Sequence, residues 1–211
     1  RNSIVSNLFG EEYIQYDNDS IAYQFVQDLK REYLLTNAPI LHEMDDKSLY
    51  SFNNEHVLDG FSLISDEKMY SYGINRYVFM GGAHGLNTIN YYNYNLETGK
   101  LITENDIFQK NSTKKLTDII KRRIVEQSIE NSDVKPIKTL ENSDYWTSAI
   151  RPNGNFYIAD ESINYIFNPY EIGPYYLGIT EVNIPFERLK SILKPRSIIS
   201  HLLMPTPPVV N

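Results

Sequence analysis

Between residues 112 and 131, Leu116, Ile119, Ile120, Ile124 and Val125 recur on one side of a 3.6-residue period, while Lys114, Lys115, Lys121, Arg122 and Glu126 take the other. A helix striped in this way is stable only if something apolar covers the stripe. The flanking sequence supplies that cover as strands. Before the helix, short apolar and aromatic runs alternate with turn residues: one ends near Ile64, a second runs from Met69 to Tyr77-Val78-Phe79-Met80, and a third occupies 87–96. Asp66-Glu67 predicts a hairpin between the first two. Glu97-Thr98-Gly99-Lys100 has the composition of a turn with glycine at positive φ, returning the chain through Leu101-Ile102. After the helix, Phe156-Tyr157-Ile158 and 163–167 flank Ala159-Asp160-Glu161-Ser162 as a second hairpin, and 179–184 adds a strand that Pro185 ends.

An earlier helix is predicted over 19–35, where Asp17 to Ser20 offer N-cap side chains ahead of Ile21, Ala22, Phe25, Val26, Leu29 and Tyr33. Residues 186–193 fit a short final helix. The fold class expected is therefore α+β: an antiparallel β-sheet packed against two main helices, with a short C-terminal helix. We read 1–211 as a single unit with two modules, 1–105 (helix plus β-meander) and 106–195 (helix plus strands), followed by an extended tail at 196–211 containing Pro205, Pro207 and Pro208. The polar stretch 131–155, with Pro136, Pro152 and Gly154, reads as a surface loop with Trp146 as its packing plug. No internal repeat is visible.

Composition removes several classes of function. A formal charge of -7 and no basic run longer than Lys121-Arg122-Arg123 give no patch able to neutralise many phosphates, so nucleic acid is not an expected partner. No stretch approaches the roughly 18 apolar residues of a membrane-spanning helix. A chain opening at Arg1 leaves room for a leader or anchor ahead of it. With no cysteine, thiolate chemistry and Cys-ligated zinc are excluded, and His42, His56, His84 and His201 show no metal-ligand spacing, so neither metal nor cofactor is expected. The unusual number is 17 tyrosines, beside 9 phenylalanines and one tryptophan. Tyrosine joins a flat apolar ring to a hydroxyl and suits recognition surfaces, although it also fills strands well.

Two loops concentrate the remaining signal. Met80-Gly81-Gly82-Ala83-His84-Gly85 places three glycines within five residues, which could admit positive φ, aim backbone N–H groups at a ligand or let another chain pass close by. No lysine and hydroxyl residue follow to make a phosphate loop, and no nucleophile elbow exists. His84 is expected to be a structural, hydrogen-bonded imidazole. The second loop, Asn168-Pro169-Tyr170-Glu171-Ile172-Gly173-Pro174-Tyr175-Tyr176-Leu177-Gly178, is stiffened by two prolines, so Pro169, Tyr170, Glu171, Pro174, Tyr175 and Tyr176 are candidate ligand-binding residues presented with little ordering cost.

Taken together, MGGAHG, the following NYYNYNLETGKLITENDIF and the distant FNPYEIGPYYLGITEVNIPFERLKSIL resemble the extracytoplasmic region of RsiV-like anti-sigma factors and the non-catalytic N-terminal region of PdaC-type peptidoglycan deacetylases. The resemblance covers about 50–195. Leu86 and Asn95 depart from it, at positions where a polar residue and an aspartate are usual. It implies an exported or lipid-anchored domain of the cell envelope that recognises a lysozyme-like protein or a glycan without catalysis. Two other readings stay open: an envelope hydrolase using His84 with Glu171 or Asp106, and a purely structural module of a longer lipoprotein.

Overall fold

The computed structural model describes residues 1–41, 52–131 and 135–203. His42, Tyr50 and the tail prolines lie outside these. The fold is α+β, with two three-stranded antiparallel sheets and five α-helices among the described residues. The chain divides into two compact units, one of Arg1–Gly60 and Arg76–Leu86 and one of Phe61–Asn75 and Asn87–Asn211.

The first unit holds α1 (Asn2–Phe9), a 3₁₀ turn Glu11–Gln15 and α2 (Ile21–Leu41). Sequence periodicity missed the first two because each is too short to show a stripe. Gly10, at φ 120, separates them and lets the chain fold back, so that Val5, Tyr13 and Ile21 form a small core against Phe9 and Phe25. The start of α2 lies where expected: Asp17 Oδ1 accepts from the amides of Asp19 and Ser20. Its end runs past the predicted residue 35, with Pro39 tolerated in the last turn. Tyr13 donates a 2.8 Å hydrogen bond to Asp28, and burial together with that carboxylate pushes its phenol up to about 12.

The strands of the first sheet, β1 (Asn54–Ser65), β2 (Met69–Met80) and β3 (Leu86–Asn95), follow one another in the order β1-β2-β3. The turn between β1 and β2 is set by Asp66, whose Oδ1 accepts from Lys68 N and Met69 N, both at 2.7 Å. Gly73 in β2 has a packing role, because a Cβ there would lie 2.4 Å from the ring of Phe61 and 2.9 Å from that of Tyr91. The turn at Gly99 has φ 66, as its composition predicts, but Leu101-Ile102 makes only an isolated bridge, Tyr94 to Leu101, and not a strand. The chain instead enters α3 (Glu104–Ile107), where Asp106 reaches back to the amide and hydroxyl of Thr103.

The amphipathic helix appears as α4 (Thr113–Glu130), with Leu116, Ile119, Ile120 and Ile124 buried. The second sheet, β4 (Phe156–Ile158), β5 (Ser162–Phe167) and β6 (Thr180–Pro185), has the order β4-β5-β6. Its register pairs Phe156 with Tyr165 and Tyr165 with Val182, placing those side chains with Ile158, Ile163 and Ile184 on one face. That face and the stripe of α4 share one core. The final helix α5 (Phe186–Leu189) is shorter than predicted. The tail is not simply extended: Ile198–His201 is a 3₁₀ turn, because Ile199 is an apolar residue with a place in the core, where it is fully buried.

Among the described residues, side chains bond the edges of β6 and β3. Along β6, Gln127 accepts from Asn183 N and donates to Glu181 O, and Arg123 Nε donates to Asn183 O at 2.9 Å. Along β3, Asn155 bonds Tyr91 N and Ile89 O, each within 2.9 Å, and Asn93 Nδ2 donates to Phe156 O at 2.8 Å.

Candidate binding surface

The loop from Asn168 to Gly178 leaves the end of β5 and is fastened at its root. Asn168, buried, accepts from Ile89 N at 2.8 Å and donates to Ile89 O at 3.2 Å. Glu171 closes the first turn, its N–H donating to Asn168 O. Its carboxylate accepts from Asn153 Nδ2 at 2.8 Å, with Asn168 Nδ2 at 3.4 Å from the other oxygen. Ile172 drops into the core, its carbonyl taking the amide of Trp146 at 2.7 Å. Pro174 then directs the chain into a 3₁₀ turn, Tyr175–Leu177, which Gly178 ends at φ 66. Every few residues a backbone or side-chain bond pins this loop, so its geometry is preorganised.

What it presents is aromatic. Tyr170 is 51% exposed and sits at φ 71, a left-handed conformation that costs a non-glycine residue about 1–2 kcal/mol. Its ring lies 5.7 Å from that of half-buried Tyr175. Tyr176 is 68% exposed, and the Asp144 carboxylate near its hydroxyl raises its pKa. Pro169 and Pro174 are half-buried and shape the backbone instead of offering contact area. Glu171 is exposed but already bonded, so it positions the loop as much as it decorates it.

The partner segment 144–146 was legible only in part. Trp146 is not the plug expected: it is 46% exposed, while its neighbours Ile172 and half-buried Tyr145 belong to or pack against the core. Asp144, the carboxylate that raises the Tyr176 phenol, carries no sequence signal at all. Beside Tyr176 opens a groove of about 820 Å³, with Ile124, Ile137 and Leu177 among its apolar lining and Lys138, Asp144 and Glu181 among its charges. Glu181 Oε1 accepts from Tyr157 at 2.6 Å, and burial and this carboxylate push the Tyr157 phenol well up.

The glycine-rich loop lies in the first unit. Gly81 and Gly82 have φ 81 and 94, and Gly85 is covered by the Tyr77 ring, 2.4 Å from where a Cβ would stand. Each glycine thus meets a conformational or packing demand. His84 Nδ1 lies 3.1 Å from Gly85 O. The carboxylates considered as its catalytic partners are engaged within the second unit, Asp106 with Thr103 and Glu171 with Asn153. Among the described residues no three His, Asp or Glu side chains are grouped as a metal ion would require, and no helix is long and apolar enough to cross a membrane.

Residues 105–187 match the family model described as "Protein of unknown function (DUF3298)". The crystal structure of a member of that family from Bacteroides fragilis aligns with 95% of this chain and 79% of its own, with a TM-score of 0.81 and 25% identity. A DUF3298 family protein from Pseudomonas aeruginosa aligns with 71% of this chain and 67% of its own at a TM-score of 0.56 and 19% identity, a likeness of fold alone. No curated protein matches the chain. The stretch that carries α4, the second sheet and the tyrosine loop is thus the part of this chain that is similar to the DUF3298 family.

Proposed function

We propose that this protein is a non-catalytic recognition module of the cell envelope, of the RsiV-like kind, that binds a lysozyme-like protein or an envelope glycan through the loop from Pro169 to Tyr176 and the neighbouring Trp146. The observation that carries this reading is Tyr170, a large aromatic side chain held outward on a left-handed backbone by a loop bonded at its root. Strain at a half-exposed aromatic residue brings the fold little burial in return, and it is the kind of cost that persists where a side chain must be presented. Exposed Tyr176 and Trp146 extend the same aromatic surface. Interfaces concentrate their energy in such residues, and rigid loops lose little entropy on binding.

Titration calorimetry with a chicken-type lysozyme and, separately, with soluble peptidoglycan fragments tests the proposal. Binding to one of them that weakens at least tenfold in Tyr170→Gly and Tyr176→Ala, at unchanged fold, supports it. Heat of binding that is the same in parent and both variants refutes the loop as the contact surface, and no binding to either probe refutes the ligand class.

A further inference from the structure

Both ring nitrogens of His201 face oxygens that can only accept. Nδ1 lies 2.9 Å from the carbonyl oxygen of Ile198, and Nε2 lies 3.0 Å from Oδ2 of Asp66. A neutral imidazole has one N–H and one lone pair, so it satisfies one contact and sets lone pair against lone pair at the other. An imidazolium donates at both. We propose that His201 and Asp66 form a proton-operated clasp between the C-terminal turn Ile198–His201 and the turn joining β1 to β2, closed when the imidazole carries both protons and weakened when it loses one.

Each half of the clasp is tied to the core of the second unit. Asp66 is locked in place by the amides of Lys68 and Met69, and Met69 is fully buried. On the other side Ile199 is fully buried in the same cluster. Opening the clasp therefore loosens a turn whose own internal bonds are few: Ser200 N to Ser197 O and Leu202 N to Ile199 O, both 3.0 Å. The side chains of His201 and Asp66 are 23% and 33% exposed, open enough to exchange protons with solvent and covered enough to escape full screening.

The other charges on the elements packed here are engaged or exposed. The β1–β2 turn also carries Glu67 and Lys68, both exposed. Helix α3, which packs against the C-terminal turn, carries Glu104 and Asp106, whose carboxylates accept from Gly154 N and Thr103 N. The C-terminal segment itself brings Lys194, bonded to Asn105 O, and exposed Arg196. The carboxylate in contact with the ring is that of Asp66.

Only the doubly protonated ring donates to both oxygens, so the clasp should be tighter at pH 5 than at pH 8. Amide hydrogen exchange of Ser200 and Leu202 reads it directly. In the parent protein we expect protection factors about tenfold lower at pH 8 than at pH 5, and in His201→Gln no difference between the two. The decisive variant is Asp66→Asn. Its side-chain oxygen can still accept from Lys68 N and Met69 N, but its amide N–H now donates to an unprotonated Nε2 while Nδ1–H still reaches Ile198 O. Neutral imidazole then completes the clasp, and protection should rise with pH. Flat protection in the parent, the parent's pH dependence surviving in His201→Gln, or Asp66→Asn keeping the parent's sign would each overturn the proposal.

Discussion

Asn168 holds Ile89 by both of its backbone groups, accepting from its N–H at 2.8 Å and donating to its carbonyl at 3.2 Å. A side-chain amide here replaces a rung of β-ladder, anchoring the tyrosine loop to the free edge of β3 without a strand between them. In Asn168→Ala the carbonyl of Ile89 keeps Asn155 as a donor, but its N–H loses its partner. An unpaired buried donor costs about 1–3 kcal/mol. Urea denaturation should show a loss of about 2 kcal/mol; a change below about 0.5 kcal/mol would mean that the rung is not a stabilising one.

Tyr170 separates presentation from stability. Replacing it by glycine removes about 1–2 kcal/mol of left-handed strain, while the added freedom of the unfolded chain takes back about 0.5–1 kcal/mol. Tyr170→Gly should therefore melt within a few degrees of the parent or slightly above it. A loss of more than about 2 kcal/mol would show that the ring is a packing element.

The parts of this fold that could be read from sequence are those with a period or a turn signature. The stripe of α4, the Asp66 turn and the alternation on either side of Ala159 each repeat a local rule, and the structure follows them. What escaped has no period. Asn155, Asn168, Gln127 and Arg123 close sheet edges through contacts more than fifty residues away in sequence, and nothing in the local sequence marks an asparagine as a ladder rung. Exposure of Trp146 depends on which of its neighbours reach the core. Left-handed backbone at Tyr170 was hidden for the opposite reason, since the signal expected for it is glycine or asparagine. The loop that holds the candidate surface was therefore visible, while the bonds that stiffen it were not.

Arg123 on α4 is almost buried, with Nε on Asn183 O and Nη1 shared by Glu126 at 2.8 Å and Glu130 at 3.0 Å. Glu130 is 61% exposed, so its share is largely screened, and Glu126 also has Arg188 at 3.4 Å. The loss in Arg123→Met is then mainly the donor to β6, about 1–3 kcal/mol by urea denaturation. An unchanged midpoint would show that water replaces the guanidinium at this edge without cost.

Acid should destabilise the β1–β2 turn through Asp66. Partial burial acts to raise its carboxyl, but hydrogen bonds from His201 and from the amides of Lys68 and Met69 outweigh it and hold the group below the usual carboxylate range. A pKa depressed in the folded state contributes stability above the ordinary value of about 3.9 and loses it as pH falls through the folded value. Carbon-13 titration of the Asp66 carboxylate should give a midpoint below 3.9, moving upward in His201→Gln. A midpoint unchanged by that substitution would contradict the bond.

The central claim is that the loop from Pro169 to Tyr176, with Trp146 beside it, is a recognition surface. Chemical-shift mapping during titration with a chicken-type lysozyme and with soluble peptidoglycan fragments tests this most directly. We predict that one of the two perturbs the resonances of Tyr170, Tyr175, Tyr176 and the Trp146 indole first and most strongly, while those of the Gly81–Gly85 loop stay in place. Perturbations confined to other surfaces, or none with either probe, would contradict it.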